Sequence, residues 1–403
     1  MLDALRSVLR FRPLELDATT RRLRTAVSIG DLRRIARRRL PRGVFDYVDG
    51  AAEGELTLAE NSAAFARMTF RPRVLRDVGT IDTSTTLLGR PLPLPLVLAP
   101  TGFTRAIDAD GEVAVARAAH RAGLPYALST LSTRSIEEVS AAAPGSHWFQ
   151  VYVWRDRSLV RDMIERAAAS GYEALVVTVD TAVLGKRERD VRRGFSLPPK
   201  VGPATLIDGV LRAAWTWRFL RADPIRFANV VGSTVDGDGA DAVTLSTYVN
   251  RQFDPSLSWA DVEWLRSVWS GPVVLKGIQT VDDARLAADA GIDAVALSNH
   301  GGRQLDSAPA IVELVAPVAD AVGDRLEIIC DGGVRRGSDI VKAVALGARA
   351  CMIGRAYLYG LGAAGERGVD HALRLLADDV ARTMALVGAS SIADLGPELV
   401  DRS

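Results

Sequence analysis

The chain has 403 residues, of which 48% are hydrophobic and 25% charged, the balance of a globule that buries a large core without disulfides or structural metal. Lys plus Arg number 50 against 49 Asp plus Glu, so the basic excess of a dedicated nucleic-acid binder is missing. Two cysteines, Cys330 and Cys351, exclude a disulfide framework and a four-Cys zinc site. With histidine only at 120, 147, 300 and 371, a histidine cluster is nearly excluded too, and no metal is expected.

The N-terminal stretch alternates apolar residues with Arg and lacks the apolar core of a secretory signal. No apolar run reaches the ~18 residues of a membrane span. The expected location is cytoplasmic. Residues 29–70 read as one or two helices and 80–95 as a short hairpin, forming an N-terminal extension over 29–95. Eight short, β-branched apolar runs then follow: PLVLAP (95–100), PYALS (125–129), HWFQVYV (147–153), ALVVTVD (174–180), PVVLKG (272–277), AVALSNH (294–300), EIICDGG (327–333) and ACMIGRA (350–356). Continuous apolar runs suit parallel strands covered on both faces. Helical segments separate most of them, such as GEVAVARAAHRAG, LVRDMIERAAASG and VDDARLAADAG, several ending in Gly. Eightfold strand–helix alternation predicts an α/β fold, a TIM (β/α)₈ barrel over 96–388 within one 1–403 domain. The stretch 364–388 reads as the final helix. Cys330 and Cys351 fall within strands seven and eight, without a partner at redox or metal spacing, and read as small buried hydrophobes.

The repeat is broken once, by a long insertion after strand four at 184–270, which places extra chain on the catalytic face of a barrel. Within it, STVDGDGADA (233–242) reads as a loop, and 209–230 mixes Trp215, Trp217, Phe219 and Phe227 with Arg212, Arg218, Arg221 and Arg226. Aromatic and basic residues on one amphipathic segment suit a membrane interface. A lid packed on the barrel, or an oligomer contact, explains the same composition equally well.

Two stretches carry chemistry. SNHGGRQLD (298–306) ends run six, where barrel strands point into the active site. There His300 can move a proton near neutral pH and Arg303 can hold a carboxylate through two parallel hydrogen bonds. DGGVRRGSDIVKAVALGA (331–348) and MIGRA (352–356) place Gly332, Gly333 and Gly354 beside Arg335 and Arg355 in the loops after strands seven and eight. These loops form the usual phosphate site of this architecture. The remaining histidines, His120, His147 and His371, read as structural.

Together these motifs resemble the FMN-dependent 2-hydroxy acid oxidising family, which includes glycolate oxidase, lactate oxidase, mandelate dehydrogenase and quinone-linked L-lactate dehydrogenases. The resemblance covers roughly residues 29–395 and implies FMN as cofactor. By resemblance, His300 is the base acting on the substrate hydroxyl or α-carbon, and Asp180 is the carboxylate that orients it. Arg303 and Arg187 are the substrate arginines. Tyr47 bonds the carboxylate and Tyr152 the hydroxyl oxygen. Lys276 lies beside flavin N1 and O2, where its charge favours the anionic reduced ring. Thr101, Gly102, Ser129, Gln150, Thr178 and Ser298 match positions around the ring and ribityl chain. Asp331, Gly333, Arg335, Gly354 and Arg355 match the ribityl and phosphate end.

Three departures refine this. Plant glycolate oxidases carry Trp where this chain has Leu131, so a larger substrate side chain is permitted. Gly102 replaces the Ala of many oxidases, as in mandelate dehydrogenase and lactate monooxygenase, which bears on oxygen reactivity. No haem-binding segment precedes the barrel. The segments GFTRAI, STLSTRSIEEV, FQVYVWRDR and SLPPK are most similar to the L-lactate dehydrogenase branch. The expected activity is oxidation of an L-2-hydroxy acid, L-lactate first and mandelate-like acids next, by a homotetramer passing electrons to quinone. An oxygen-using oxidase that makes hydrogen peroxide is the alternative within the class, with peripheral membrane contact through 209–230 left open. Outside the class stand a phosphate-binding barrel acting on a nucleotide or prenyl substrate and a non-catalytic flavin-binding partner protein.

Overall fold

A computed structural model describes residues 15–193, 202–230 and 251–402. The 233–242 stretch and the SLPPK segment lie outside the described residues. Each of the eight apolar runs forms a strand: β1 Leu96–Leu98, β2 Tyr126–Ser129, β3 His147–Tyr152, β4 Ala174–Thr178, β5 Val273–Ile278, β6 Ala294–Ser298, β7 Glu327–Asp331 and β8 Ala350–Ile353. All pair in parallel, β8 with β1 included, and close into a barrel. Alternate side chains fill its interior, among them Val97, Trp148, Val176, Val274, Ile329 and Met352. The hairpin Thr85–Leu87/Arg90–Leu92 adds Leu87 and Leu92 to that inner cluster. The other face of each strand packs on helices, several of whose starts are fixed by side-chain caps. Ser135 and Glu138 form a capping box for Ile136–Ala142, and Asp156 and Thr280 cap Arg157–Ala169 and Val281–Asp289.

Cys330 and Cys351 lie buried in this strand–helix layer and are register partners across β7 and β8, a proximity that sequence spacing did not show.

The N-terminal extension holds three helices over 29–67, rather than the one or two expected: Ile29–Arg39, Arg42–Asp49 and Leu56–Arg67. The first break falls at Leu40, where the residue before Pro41 is driven to extended backbone. The second falls at Gly50, which begins a loop running over the C-terminal mouth of the barrel. The final helix spans Glu366–Val387 and stops at Gly388 in the left-handed conformation.

The described part of the insertion divides in two. Pro203–Leu211 and Ala213–Arg221 form a helix pair with no buried residue in the second helix. The second helix touches the barrel through the Trp215 Nε1–H, which donates to the Ala106 carbonyl at 3.0 Å, and through the Arg218–Asp108 ion pair at 3.1 Å, whereas residues 223–230 dock more deeply. The Arg105 guanidinium donates to the Asp223 carbonyl at 2.6 Å, and Asn229 bonds the Ile136 N–H at 2.9 Å and the Ser132 hydroxyl at 2.8 Å. Phe227 is thereby buried, with its ring edge-on to Phe103 at 4.7 Å. Of the two readings that composition left even for 209–230, Phe227 follows the one packed on the barrel, at its mouth. The backbone bonds made by Arg105 and Asn229, rather than composition, separate the two halves.

Candidate active site

The C-terminal ends of the strands open into a cavity of about 490 Å³. Of the residues singled out in the sequence, Tyr47, Thr101, Gly102, Ser129, Gln150, Tyr152, Thr178, Arg187, Lys276, His300, Arg303, Asp331, Gly333, Arg335, Gly354 and Arg355 line it. Asp180 and Ser298 sit one layer behind and act through neighbours.

At the end of β6 the chain turns sharply and His300 adopts φ 57°. This left-handed conformation costs a non-glycine residue of order 1 kcal/mol and tends to occur where function requires it. Its Nδ1 meets the Asp180 carboxylate at 3.0 and 3.2 Å. Burial works to raise the Asp180 carboxyl, but His300 and then Lys276 outweigh it and hold it below the usual carboxylate range. An ionised Asp180 fixes the proton on Nδ1 and leaves Nε2 as the basic nitrogen. Gly277 makes this approach possible. It has φ +117° beside the β5 register shift, and a Cβ there would lie 2.7 Å from the Asp180 Cβ. Gly277→Ala is therefore expected to displace Asp180 and lower turnover by about 10²-fold while the expected flavin is retained, because sub-ångström placement of a catalytic group matters this much. Steady-state kinetics with flavin content measured in parallel checks this.

Polar side chains from successive strands form the cavity floor. Ser129 donates to Gln150 at 2.9 Å, and Gln150 donates to Thr178 at 2.9 Å. The Lys276 ammonium lies 3.0 Å from the Ser298 hydroxyl and 2.6 Å from Asp331, while Ser298 donates to Asp331 at 2.7 Å. Burial opposes the charge on Lys276, but Asp331 and Asp180 more than compensate and raise its pKa. Lys276 is thus a fixed cation under the cavity.

The third corner is built from the helix Arg42–Asp49 and the loops after β4 and β6. The guanidinium groups of Arg303 and Arg187 lie 5.0 and 5.8 Å from the centroid of the Tyr47 ring. Arg303 also donates to the Tyr47 carbonyl at 2.7 Å. Burial and the charge of Arg187 press the Arg303 guanidinium down to about 9. It remains protonated at neutral pH, and two crowded cations make this corner receptive to an anion. Across the cavity, burial and then the Asp180 charge raise the Tyr152 phenol, so its hydroxyl keeps its proton and can donate.

At the fourth corner the helix Arg355–Ala364 starts beside Gly354 with no side-chain cap, and its first residues line the cavity together with Gly332, Gly333 and Arg335. Such an end binds phosphate. Arg355 also lines this end of the cavity. Its guanidinium is fastened to the carbonyls of Val48, Gly301 and Gly50 at 3.0, 2.8 and 2.7 Å, leaving its charge and backbone N–H for an anion. A hydroxyl- and amide-lined floor with a buried lysine, ending in an uncapped helix start, fits FMN: a heteroatom-edged ring at one end and a phosphate at the other. Among the described residues no group of three or more His, Cys, Asp or Glu could hold a metal ion.

Sequence reasoning missed several lining residues. Phe103, Phe227 and Phe253 join Leu131 in an apolar wall, with Phe253 edge-on to Tyr152 at 5.2 Å. Phe227 and Phe253 come from the insertion, where strand-end logic gives no signal. Asp190 lies 3.5 Å from Arg187, and its place three residues after that arginine was the available clue. Asn61 reaches the cavity from the N-terminal helix Leu56–Arg67, paired with Asn299 at 2.9 Å.

Known proteins are similar to this chain in sequence and fold. The profile of the family described as FMN-dependent dehydrogenase matches residues 36–402. An L-lactate dehydrogenase of Caulobacter vibrioides is 44% identical over 93% of this chain and 97% of its own length. Glycolate oxidase 3 of Oryza sativa is 40% identical over 91% of this chain and 94% of its own. Among solved structures, the monotopic membrane protein (S)-mandelate dehydrogenase superposes with a TM-score of 0.90 at 39% identity, covering 94% of this chain and 100% of that one.

Proposed function

The chain belongs to the FMN-dependent dehydrogenase family, and from that premise we propose that it oxidises an L-2-hydroxy acid, L-lactate before others, and passes the electrons to a quinone. FMN is its cofactor and, when bound, supplies the two-electron acceptor at the substrate carbon. The observation that carries the reading is that His300, backed by Asp180, lines one cavity with the Arg303–Tyr47–Arg187 corner. The corner holds the carboxylate through charge-assisted hydrogen bonds. Tyr152 donates to the hydroxyl oxygen. His300 takes the substrate proton on Nε2, and the Asp180 carboxylate stabilises the resulting imidazolium. Ser129, Gln150, Thr178 and Lys276 hold the flavin ring, and the Gly333–Arg335 and Gly354–Arg355 loops hold the phosphate. Lys276 places a positive charge where electron density accumulates.

One observation favours a second substrate reading. The wall of Phe103, Leu131, Phe227 and Phe253 is larger and more apolar than a lactate methyl needs, which suits mandelate-like acids. Steady-state kcat/KM for L-lactate and L-mandelate ranks the two readings, measured with a soluble quinone and separately with oxygen as acceptor. Quinone turnover with little oxygen uptake supports a dehydrogenase, whereas stoichiometric peroxide supports an oxidase. Phe227→Leu is expected to shift preference toward L-lactate by about tenfold, the scale of a lost apolar contact.

A peripheral membrane contact completes the proposal, alongside a homotetramer. Leu206, Ile207, Val210, Leu211, Trp217 and Leu220 are each more than half exposed, and the Arg221 guanidinium lies 4.0 Å over the Trp217 ring. An exposed apolar face with basic flanks suits a bilayer interface, and the structural neighbour named above is a monotopic membrane protein. Among the described residues no helix is long and apolar enough to cross a membrane. Changing these six residues to Ser is expected to move the protein from vesicle-bound to supernatant in a sedimentation assay, with turnover of a soluble acceptor retained. Unchanged sedimentation counts against the contact.

A further inference from the structure

The loop that carries Arg187 is anchored on both sides by bonds that the proposed chemistry does not use. On one side the Gly185 N–H donates to the Gln304 side chain at 2.9 Å, and the Glu53 N–H donates to the Lys186 carbonyl at 2.9 Å. On the other side Arg189 turns back toward the N-terminal extension. It reaches Asp49 at 3.0 Å and pairs with the Glu55 carboxylate, with Asp46 at 3.8 Å. Its stem lies so close to the chain that a Cβ on Gly50 would meet the Arg189 Cδ at 3.3 Å.

Asp49 is itself held rigidly. Arg33 grips it through two bonds of 2.5 and 2.8 Å, and the Tyr359 hydroxyl donates to it at 2.7 Å. Burial alone would raise this carboxyl, but Arg33, Tyr359 and Arg189 together hold it at about 2, so it is ionised throughout the neutral range. Asp49 ends the helix that carries Tyr47. Arg189 therefore bridges two of the three elements that supply the carboxylate corner, and it takes no part in lining the cavity.

We infer that Arg189 is a positioning residue for the substrate carboxylate: its ion pairs with Asp49 and Glu55 clasp the Arg187 loop to the Tyr47 helix and set the spacing between the two groups. The inference rests on Arg187 and Tyr47 binding the carboxylate. Without the clasp, the Arg187 loop would have to be ordered against the Tyr47 helix by each arriving substrate, which lowers affinity.

The test uses the full-length, FMN-loaded protein and oxalate, a dicarboxylate that needs no turnover. Its dissociation constant is read from the perturbation of the flavin absorbance. Arg189→Met is expected to raise that constant and the KM about tenfold while kcat changes less than about twofold. Arg189→Lys should recover part of the loss, and the milder Glu55→Gln should reproduce part of it if Arg189→Met folds poorly. The decisive arm is the Arg187→Met background, in which adding Arg189→Met should change oxalate binding by less than about twofold, because the residue acts through Arg187. Independent, multiplying effects would overturn the clasp, as would unchanged oxalate binding in Arg189→Met and Glu55→Gln. If oxalate fails to bind the unaltered protein, the carboxylate corner itself is misassigned and the clasp falls with it.

Discussion

Replacing His300 with Ala leaves a yellow protein that substrate no longer bleaches. The flavin cradle is built from β2–β5 and from the loops after β7 and β8, so removal of one imidazole leaves it standing. What disappears is Nε2, the ring nitrogen left to accept a proton while Nδ1 faces the Asp180 carboxylate at 3.0 Å. A positioned general base contributes about 10²–10⁴ in rate, so flavin reduction measured anaerobically by rapid mixing falls by that factor or more. His300→Asn, whose side chain tolerates positive φ, separates base loss from backbone strain at φ 57°. Fast reduction in both variants would mean that another group takes the proton.

Arg303→Met produces the second large effect, chiefly in binding. A hydrogen bond to a charged group contributes about 1.5–3 kcal/mol, which corresponds to roughly one to two orders of magnitude in KM. The same guanidinium holds the Tyr47 and Gly50 carbonyls at 2.7 and 3.2 Å, so kcat also falls as Tyr47 loosens. Arg303→Lys recovers the charge but not the planar fork, and is expected to remain much closer to Met than to the unaltered protein. The comparison is made by KM and by the affinity for a non-reacting 2-oxo acid. Unchanged binding in the Met variant would place the carboxylate elsewhere.

How much of this was legible in the sequence follows from where the information lies. Parallel strands covered on both faces must be apolar along their whole length, so each of the eight was visible as a run. The strand-end rule then located Asp180, Lys276 and His300 without coordinates. Pairings between distant segments carry no such local mark. Phe227 and Trp217 are both aromatic residues of one amphipathic stretch, yet one is buried at the barrel mouth and the other is 57% exposed. The difference is made by Arg105 and Asn229 bonding to neighbouring loops. The charge of Arg355 was readable, but not its three backbone carbonyl partners. The Asp49–Arg189 pair spans 140 residues, and among so many arginines nothing in the sequence distinguishes it. Cys330 and Cys351 become neighbours only through the register of β7 and β8.

The central claim is a 2-hydroxy acid site facing a bound flavin. Its most direct test is to mix the purified protein anaerobically with L-lactate, then L-mandelate and longer L-2-hydroxy acids, and to follow the visible flavin band. Bleaching within the mixing experiment by at least one L-acid, with the D-acids inert, is the predicted result. A protein that retains FMN yet is bleached by none of them would contradict the account.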